Sequence, residues 1–189
     1  MFLGLATAWY SAGDYDKAAS YFFKATDLDP KDSGPYLFLG KIEARTIKES
    51  PGYQARMARF AELHPDNALA NYYHAVSLNN SDSHVYLKKA ISLDPHLGVA
   101  HLHLGILLAN DGKYPEAIVA YQKALEVTPD LDEAHYRLAE AYRVTGQTDL
   151  AKKEMSTYQT NLQRSAERIE KERREVQRFV IDLKNQTHQ

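Results

Sequence analysis

Two short segments contain the residue types of catalytic and metal sites. Ser81, Asp82 and His84 lie within four residues, and such side chains serve as nucleophile, orienting acid and base in hydrolases. A catalytic triad is brought together by the fold and not by adjacency, so the start of a helix explains this segment better. His101 and His103 point about 200° apart on a helix, whereas two metal ligands need a spacing of three or four residues. We therefore predict no catalytic site and no metal site in these segments.

Enzyme and cofactor motifs are missing from the sequence. It contains no phosphate loop, no dinucleotide-binding glycine pattern, no HExxH and no nucleophile elbow. It also contains no cysteine, which excludes disulfides, thiolate metal sites and cysteine nucleophiles. A chain without cysteine fits the cytoplasm or a bacterial periplasm, and the cytoplasm is slightly favoured. The sequence predicts a protein that is not an enzyme and that uses no cofactor.

Charge and hydropathy exclude two classes of partner. The formal net charge is -2, whereas proteins that bind nucleic acid normally carry a strong basic excess. No uninterrupted apolar run reaches the length of about 18 residues that a membrane-spanning helix needs. With 44% hydrophobic and 25% charged residues, the composition is that of an ordinary folded domain. We predict a soluble chain that binds no nucleic acid and does not insert into a membrane.

Four prolines mark an internal repeat. Pro30, Pro65, Pro95 and Pro129 each follow an apolar stretch, at intervals of 35, 30 and 34 residues. Proline lacks an N–H group and restricts the residue before it, so each of them ends a helix. A fixed period of this length is typical of repeat architectures. The units predicted from this spacing cover about residues 1–32, 33–66, 67–97, 98–131 and 132–160.

Small, large and turn-forming residues recur at fixed places within the units. The clearest series lies in residues 98–131 and contains Leu104, Gly105, Leu108, Gly112, Tyr114, Ala117, Tyr121, Ala124 and Pro129. This spacing resembles the signature of the tetratricopeptide repeat family. The resemblance covers roughly residues 1–160, and the units at 33–66 and 67–97 match it less well. It implies an all-α protein, a right-handed solenoid of antiparallel helix pairs.

The same spacing has a physical explanation. Gly13, Gly112 and Gly146 fall where the first helix of a pair must end, and glycine enters the left-handed conformation there without steric cost. Small residues such as Gly105 and Ala117 let two helices approach closely. One pair cannot bury its apolar face alone, so several units must stack to form a continuous core.

The C-terminal region predicts one long helix. Residues 148–184 contain no glycine or proline, which favours a helix of about 55 Å at 1.5 Å per residue. We assign residues 161–189 to an extension beyond the repeat domain. Apolar residues at heptad spacing along it form an interrupted coiled-coil seam and a candidate surface for homodimerisation; they are Leu162, Ile169, Val176, Phe179 and Leu183.

The resemblance also implies a binding surface. In tetratricopeptide proteins the first helices line a concave groove that holds a protein or peptide partner. By motif phase the groove residues are Thr7, Leu37, Lys41, Tyr72, Val76, Leu102, Ile106, Tyr136, Glu140 and Arg143. This largely apolar set suits an amphipathic helix or a hydrophobic peptide, although some of its members could instead pack against neighbouring helices.

The predicted function is a non-catalytic scaffold or adaptor. The alternatives are a self-associating assembly protein that uses the C-terminal helix and the regulatory repeat domain of a larger enzyme.

Overall fold

The protein is a right-handed solenoid built from antiparallel α-helices. The computed structural model describes residues 1–42, 52–78 and 82–186, with side chains through residue 178. These residues form ten helices and no strand. The helices are α1 (Phe2–Ser11), α2 (Tyr15–Leu28), α3 (Ser33–Ile42), α4 (Tyr53–Leu63), α5 (Ala68–Ser77), α6 (Ser83–Leu93), α7 (Gly98–Asn110), α8 (Tyr114–Val127), α9 (Asp132–Val144) and α10 (Thr148–Gln186). The predicted all-α solenoid is confirmed.

Glycine ends the first helix in three of the pairs. Gly13, Gly112 and Gly146 have φ angles of 78°, 76° and 78°, in the left-handed region that other residues rarely adopt. After Gly13, the Asp14 carboxylate accepts a hydrogen bond of 3.1 Å from the backbone N–H of Lys17 and so caps α2. The turn between paired helices therefore needs only a few residues, and the two helices lie side by side.

Close helix packing depends on residues without bulky side chains. A Cβ atom added to Gly105 on α7 would lie 2.5 Å from Cε1 of Tyr121 on α8, so only glycine fits against this ring. The buried residues form two clusters that follow each other along the solenoid, one from Ala6 to Ala100 and one from Leu102 to Tyr142. The apolar core is therefore elongated, as expected for stacked units.

The second and third helix pairs differ from the regular units in their buried side chains and in helix length. In the second pair, Tyr53, Met57 and Phe60 are fully buried, and the Phe60 ring stacks on Tyr36 with centroids 4.7 Å apart. These large side chains fill the space that alanine and one aromatic residue fill in the regular units. In the third pair, α5 has 10 residues, whereas α7 and α9 each have 13. The third pair is therefore shorter than the fourth pair, which follows it.

The C-terminal helix is continuous over its 39 residues. Its first half packs against α9: the Tyr136 and Tyr158 rings lie 5.5 Å apart, and Asn161 donates a hydrogen bond of 2.9 Å to Asp132. Beyond Asn161, the hydrogen bonds and ion pairs of the described side chains stay within α10, as between Arg174 and Glu170 at 3.6 Å. The single long helix predicted from the sequence is thus present, and its second half extends past the helix pairs.

The predicted association surface lies on this extension. Leu162, Ile169 and Val176 are 46%, 61% and 62% exposed. The side chains of Phe179 and Leu183 lie outside the described residues. No helix in the described part of the chain is long and apolar enough to cross a bilayer.

Candidate binding groove

The predicted groove residues lie on the first helices α1, α3, α5, α7 and α9. Lys41, Tyr136 and Arg143 are exposed, and five others are half-buried, namely Thr7, Leu37, Val76, Ile106 and Glu140. Tyr72 and Leu102 are only 8% and 2% exposed. These two side chains contribute mainly to packing between neighbouring helices. A ligand in the groove would chiefly contact the other eight.

A hollow of about 280 Å³ brings four of the predicted residues together. Ile106 from α7 and Tyr136, Glu140 and Arg143 from α9 all line it. Glu140 accepts a hydrogen bond from Nη2 of Arg143 at 2.8 Å. This hydrogen bond and the carboxylate charge raise the pKa of Arg143. The hollow therefore combines aromatic and apolar side chains with the charged side chains of Arg137, Glu140 and Arg143.

A second hollow lies between α9 and α10. It has a volume of about 310 Å³ and is lined by Ala139, Ala151 and Met155, and again by Glu140 and Arg143. The ion pair thus stands between two recesses. A ligand crossing α9 would contact both recesses, with this ion pair between them.

The largest of the three hollows lies between α5 and α7. It has a volume of about 410 Å³, and the predicted residues Val76 and Ile106 are on its walls. Ile106 also lines the hollow beside Tyr136, so the two recesses are adjacent. We call the recess between α5 and α7 the α5–α7 hollow. Thr7, Leu37 and Lys41 line none of these three hollows and lie on the first two helix pairs.

Ser83, His84 and His101 lie in the segments with catalytic or metal-site residue types and make structural contacts. Ser83 Oγ donates to the Leu78 carbonyl at 3.3 Å, and His84 Nε2 lies 3.7 Å from a carboxylate oxygen of Asp111. Ser81 lies outside the described residues. His101 donates from Nε2 to the Pro95 carbonyl at 3.0 Å, which is a structural contact.

His103 contacts a different carbonyl group: its Nδ1 lies 3.0 Å from the Val99 carbonyl oxygen. Within residues 1–42, 52–78 and 82–186, no three or more histidine and acidic side chains cluster as a metal site would require. The two histidines therefore lie in separate hydrogen-bonding environments.

Sequence reasoning missed several residues that line the hollows. Asn110 lies one helical turn beyond the predicted Ile106. It lines both the α5–α7 hollow and the hollow beside Tyr136. Tyr114 and Met155 come from second helices, which the motif phase does not assign to the groove. The spacing of four residues after Ile106 could have identified Asn110. The other two depend on how the pairs pack.

Two models of tetratricopeptide families match the sequence. The family described as "TPR repeat" matches residues 109–146, and the family described as "Tetratricopeptide repeat" matches residues 1–33. Both ranges are tetratricopeptide repeats. The matched ranges contain the three glycine-ended turns described above.

Relatives of this tetratricopeptide-repeat chain are much longer proteins. Protein CTR9 homolog of Arabidopsis thaliana is 32% identical over 116 residues, which are 57% of this chain and 10% of that protein. Protein O-mannosyl-transferase TMTC3 of Mus musculus is 29% identical over 148 residues, which are 68% of this chain and 16% of that protein. The chain spans less than a fifth of either relative.

Solved structures share the tetratricopeptide fold with this chain. PilW, described as a widely conserved type IV pilus biogenesis factor, is 24% identical with a TM-score of 0.72, over 86% of this chain and 76% of that one. YrrB, described as a TPR protein with an unusual peptide-binding site, is 18% identical with a TM-score of 0.56, over 85% of this chain and 84% of that one. Both similarities concern the fold.

Proposed function

We propose that this chain is a non-catalytic scaffold or adaptor that binds a peptide or an amphipathic helix across its first helices. The observation that carries the proposal is the convergence of Ile106, Tyr136, Glu140 and Arg143 on one hollow. Apolar surface with a few placed polar groups is typical of sites that bind peptides and small ligands. The peptide-binding site named for YrrB, which has the same fold, also supports this proposal.

The chemistry of the groove favours an apolar ligand over a highly charged one. Arg143 is neutralised by Glu140, and Arg137 in the same hollow is paired with Glu133 at 3.1 Å. A ligand gains little from charges that are already balanced, whereas burying apolar side chains contributes about 25 cal/mol per Å². The bound segment should therefore present an apolar face.

Binding by peptides selected from a random display library tests the proposal. Tyr136→Ser should weaken the binding of selected peptides to the full chain by about tenfold, because it removes aromatic surface. Arg143→Glu should weaken it by a similar factor, because it replaces the balanced pair with two neighbouring carboxylates beside the apolar ligand. Val119→Ser serves as the control, because Val119 is 65% exposed and lies on a second helix. Circular dichroism should show that all three variants remain folded. Unchanged peptide affinity in both groove variants would refute the groove.

A second candidate function is self-association through the extension of α10. The exposure of Leu162, Ile169 and Val176 at heptad spacing favours it, because an apolar stripe of this kind is normally covered by another helix. In this proposal residues 1–160 form the repeat domain and residues 161–189 form an association segment. A homodimer would make the repeat domain a spacer.

A regulatory role within a larger enzyme is the third candidate. The transferase named among the relatives, of which this chain spans 16%, favours it. The sequence encoded on either side of this chain tests this role, since a catalytic module there would support it and further repeats alone would weaken it.

A further inference from the structure

The third helix pair lacks one turn that its neighbour has. His74 and Ala75 on α5 correspond in the repeat to Leu104 and Gly105 on α7, so Ser77 corresponds to Leu107. Helix α5 ends at Ser77, whereas α7 continues to Asn110. Residues 108–110 of α7 therefore have no counterpart in α5. The α5–α7 hollow is lined by the end of α5 and the last turns of α7.

The floor of the α5–α7 hollow is apolar. Ala75 and Leu87 lie at its base with 1% exposure each. Val76, Ile106 and Leu107 form half-buried walls. The described residues that line the hollow include no lysine, arginine, aspartate or glutamate. A bulky apolar group that reaches this floor is removed from water, which favours its binding.

The polar atoms beside the hollow are already engaged. Ser77 Oγ donates to the His74 carbonyl at 2.7 Å, and Ser83 Oγ donates to the Leu78 carbonyl at 3.3 Å. The exposed Asn110 stands on the last turn of α7 at the edge of the hollow. A carboxamide can both donate to and accept from a peptide backbone. The His103 ring also lines the hollow, with its Nδ1 lying 3.0 Å from the Val99 carbonyl oxygen. The hollow thus offers an apolar floor with two polar side chains, His103 and Asn110, beside it.

The hollow has room for a bulky side chain of a longer ligand and lies beside the proposed groove. Its volume of about 410 Å³ lies near the lower end of ligand sites, which span about 300–1,000 Å³. Ile106 forms a wall of this hollow and of the adjoining hollow beside Tyr136. A peptide that occupies the proposed groove at Tyr136 therefore passes the mouth of the α5–α7 hollow.

We propose that the α5–α7 hollow is an anchor site that receives one bulky aliphatic or aromatic side chain of the bound peptide, with Asn110 contacting the peptide backbone. This inference rests on the proposed peptide-binding function and specifies the chemistry of the ligand. The shortened α5 is the reason that the site lies in this unit. The peptide carries one large apolar residue at the position that reaches the hollow.

Filling the hollow tests the anchor site. Val76→Phe places a ring in the hollow, and Val119→Phe makes the same change at an exposed site on α8. The probes are peptides selected from the random library against the full chain. Val76→Phe should weaken their binding by about tenfold, and Val119→Phe should not. Ser77→Phe fills the same space from the end of α5 and replaces Val76→Phe if that variant does not fold by circular dichroism.

The selected peptides provide the second readout. They should share one bulky apolar residue, and changing it to serine should weaken binding to the unmodified chain but cause no further loss in Val76→Phe. Full affinity in both filled variants, together with loss in Tyr136→Ser, would overturn the anchor site and leave the groove intact. No selectable peptide, or binding that Tyr136→Ser and Arg143→Glu leave unchanged, would overturn both proposals.

Discussion

Nε2 of His135 lies 3.2 Å from the carbonyl oxygen of Pro129, the proline that ends the preceding repeat unit. Nδ1 of the same ring lies 2.7 Å from a carboxylate oxygen of Glu154 on α10. Both ring nitrogens therefore face oxygen atoms. One side chain thus joins α9 to the end of the previous unit and to the next helix.

The same contact recurs along the solenoid. His101 donates to the Pro95 carbonyl at 3.0 Å, and Asn71 donates to the Pro65 carbonyl at 3.0 Å. Each donor lies six residues after its proline. Tyr36 occupies the corresponding place after the first unit, but its buried hydroxyl has no hydrogen-bond partner among the described residues. Burial raises the pKa of Tyr36. The contact is a device for fixing successive units against each other.

We expect His135→Ala to lower the free energy of unfolding by about 2 kcal/mol, because it leaves a carboxylate and a carbonyl without their donor. His96→Ala is the matched control, since His96 is exposed. Urea denaturation of the variants measures the difference. A double-mutant cycle with Glu154→Ala separates the Glu154 contact from the proline contact. Equal effects of the two histidine variants would contradict a role for His135 between units.

Glycine at position 105 is required by the ring of Tyr121. Gly105→Ala should destabilise the protein by about 1–3 kcal/mol, because the added methyl group overlaps a buried ring. Gly4→Ala should instead stabilise α1 by up to about 1 kcal/mol, since nothing lies within 4 Å of a Cβ atom there. Thermal denaturation measures both changes.

A compensating variant tests the same packing. Ala75 and Leu87 in the third unit occupy the places of Gly105 and Tyr121, and both are buried. Gly105→Ala combined with Tyr121→Leu should therefore recover stability relative to Gly105→Ala alone. If the double variant is less stable than the single one, the overlap with Tyr121 is not the cause of the loss.

His74 is a buried histidine at a position where the other units have leucine. Its ring packs edge-on against Tyr86 at 4.3 Å, and its Nδ1 has no hydrogen-bond partner in the described part of the chain. Burial lowers the pKa of His74. The corresponding residues of the other units are Leu5, Leu39, Leu104 and Leu138.

The lowered pKa of His74 gives a pH dependence with a defined sign. The unfolded chain binds this proton more readily than the folded chain. The titration of His74 therefore leaves the free energy of unfolding unchanged well above about pH 6.5 and lowers it as the pH falls below that value. His74→Leu should raise the urea midpoint and reduce its change between about pH 7.5 and about pH 5.5. His96→Leu is the control. A His74→Leu variant with the pH response of the unmodified chain would contradict the prediction.

The repeat signature predicted the fold because its residues have local physical causes. Gly13, Gly112 and Gly146 set the turns, and the prolines mark the unit ends, so helix order followed from short stretches of sequence. Gly105 was predicted to allow close approach, and it lies against Tyr121.

The candidate site was less readable from the sequence. Motif phase places Leu102 and Ile106 on the same helix surface, but the burial of Leu102 depends on α8 and α9. The α5–α7 hollow depends on a difference in length between two helices. Such a difference concerns pairs of units, and a pattern within one unit does not contain it.

The extension of α10 is separate from the stability of the helix pairs. Its described hydrogen bonds to other helices end at Asn161, which donates to Asp132. A chain ending at Asn161 should therefore keep the thermal midpoint of the unmodified chain. Its mass by light scattering should be that of a monomer at all concentrations, whereas the full chain should form dimers as the concentration rises.

Ile169→Glu should mimic the truncation, because it places a charge on the exposed apolar stripe. Arg174→Glu changes a residue that is exposed and off the stripe, and should still dimerise. A full chain that remains monomeric would refute association through α10 and leave the groove as the binding surface under test.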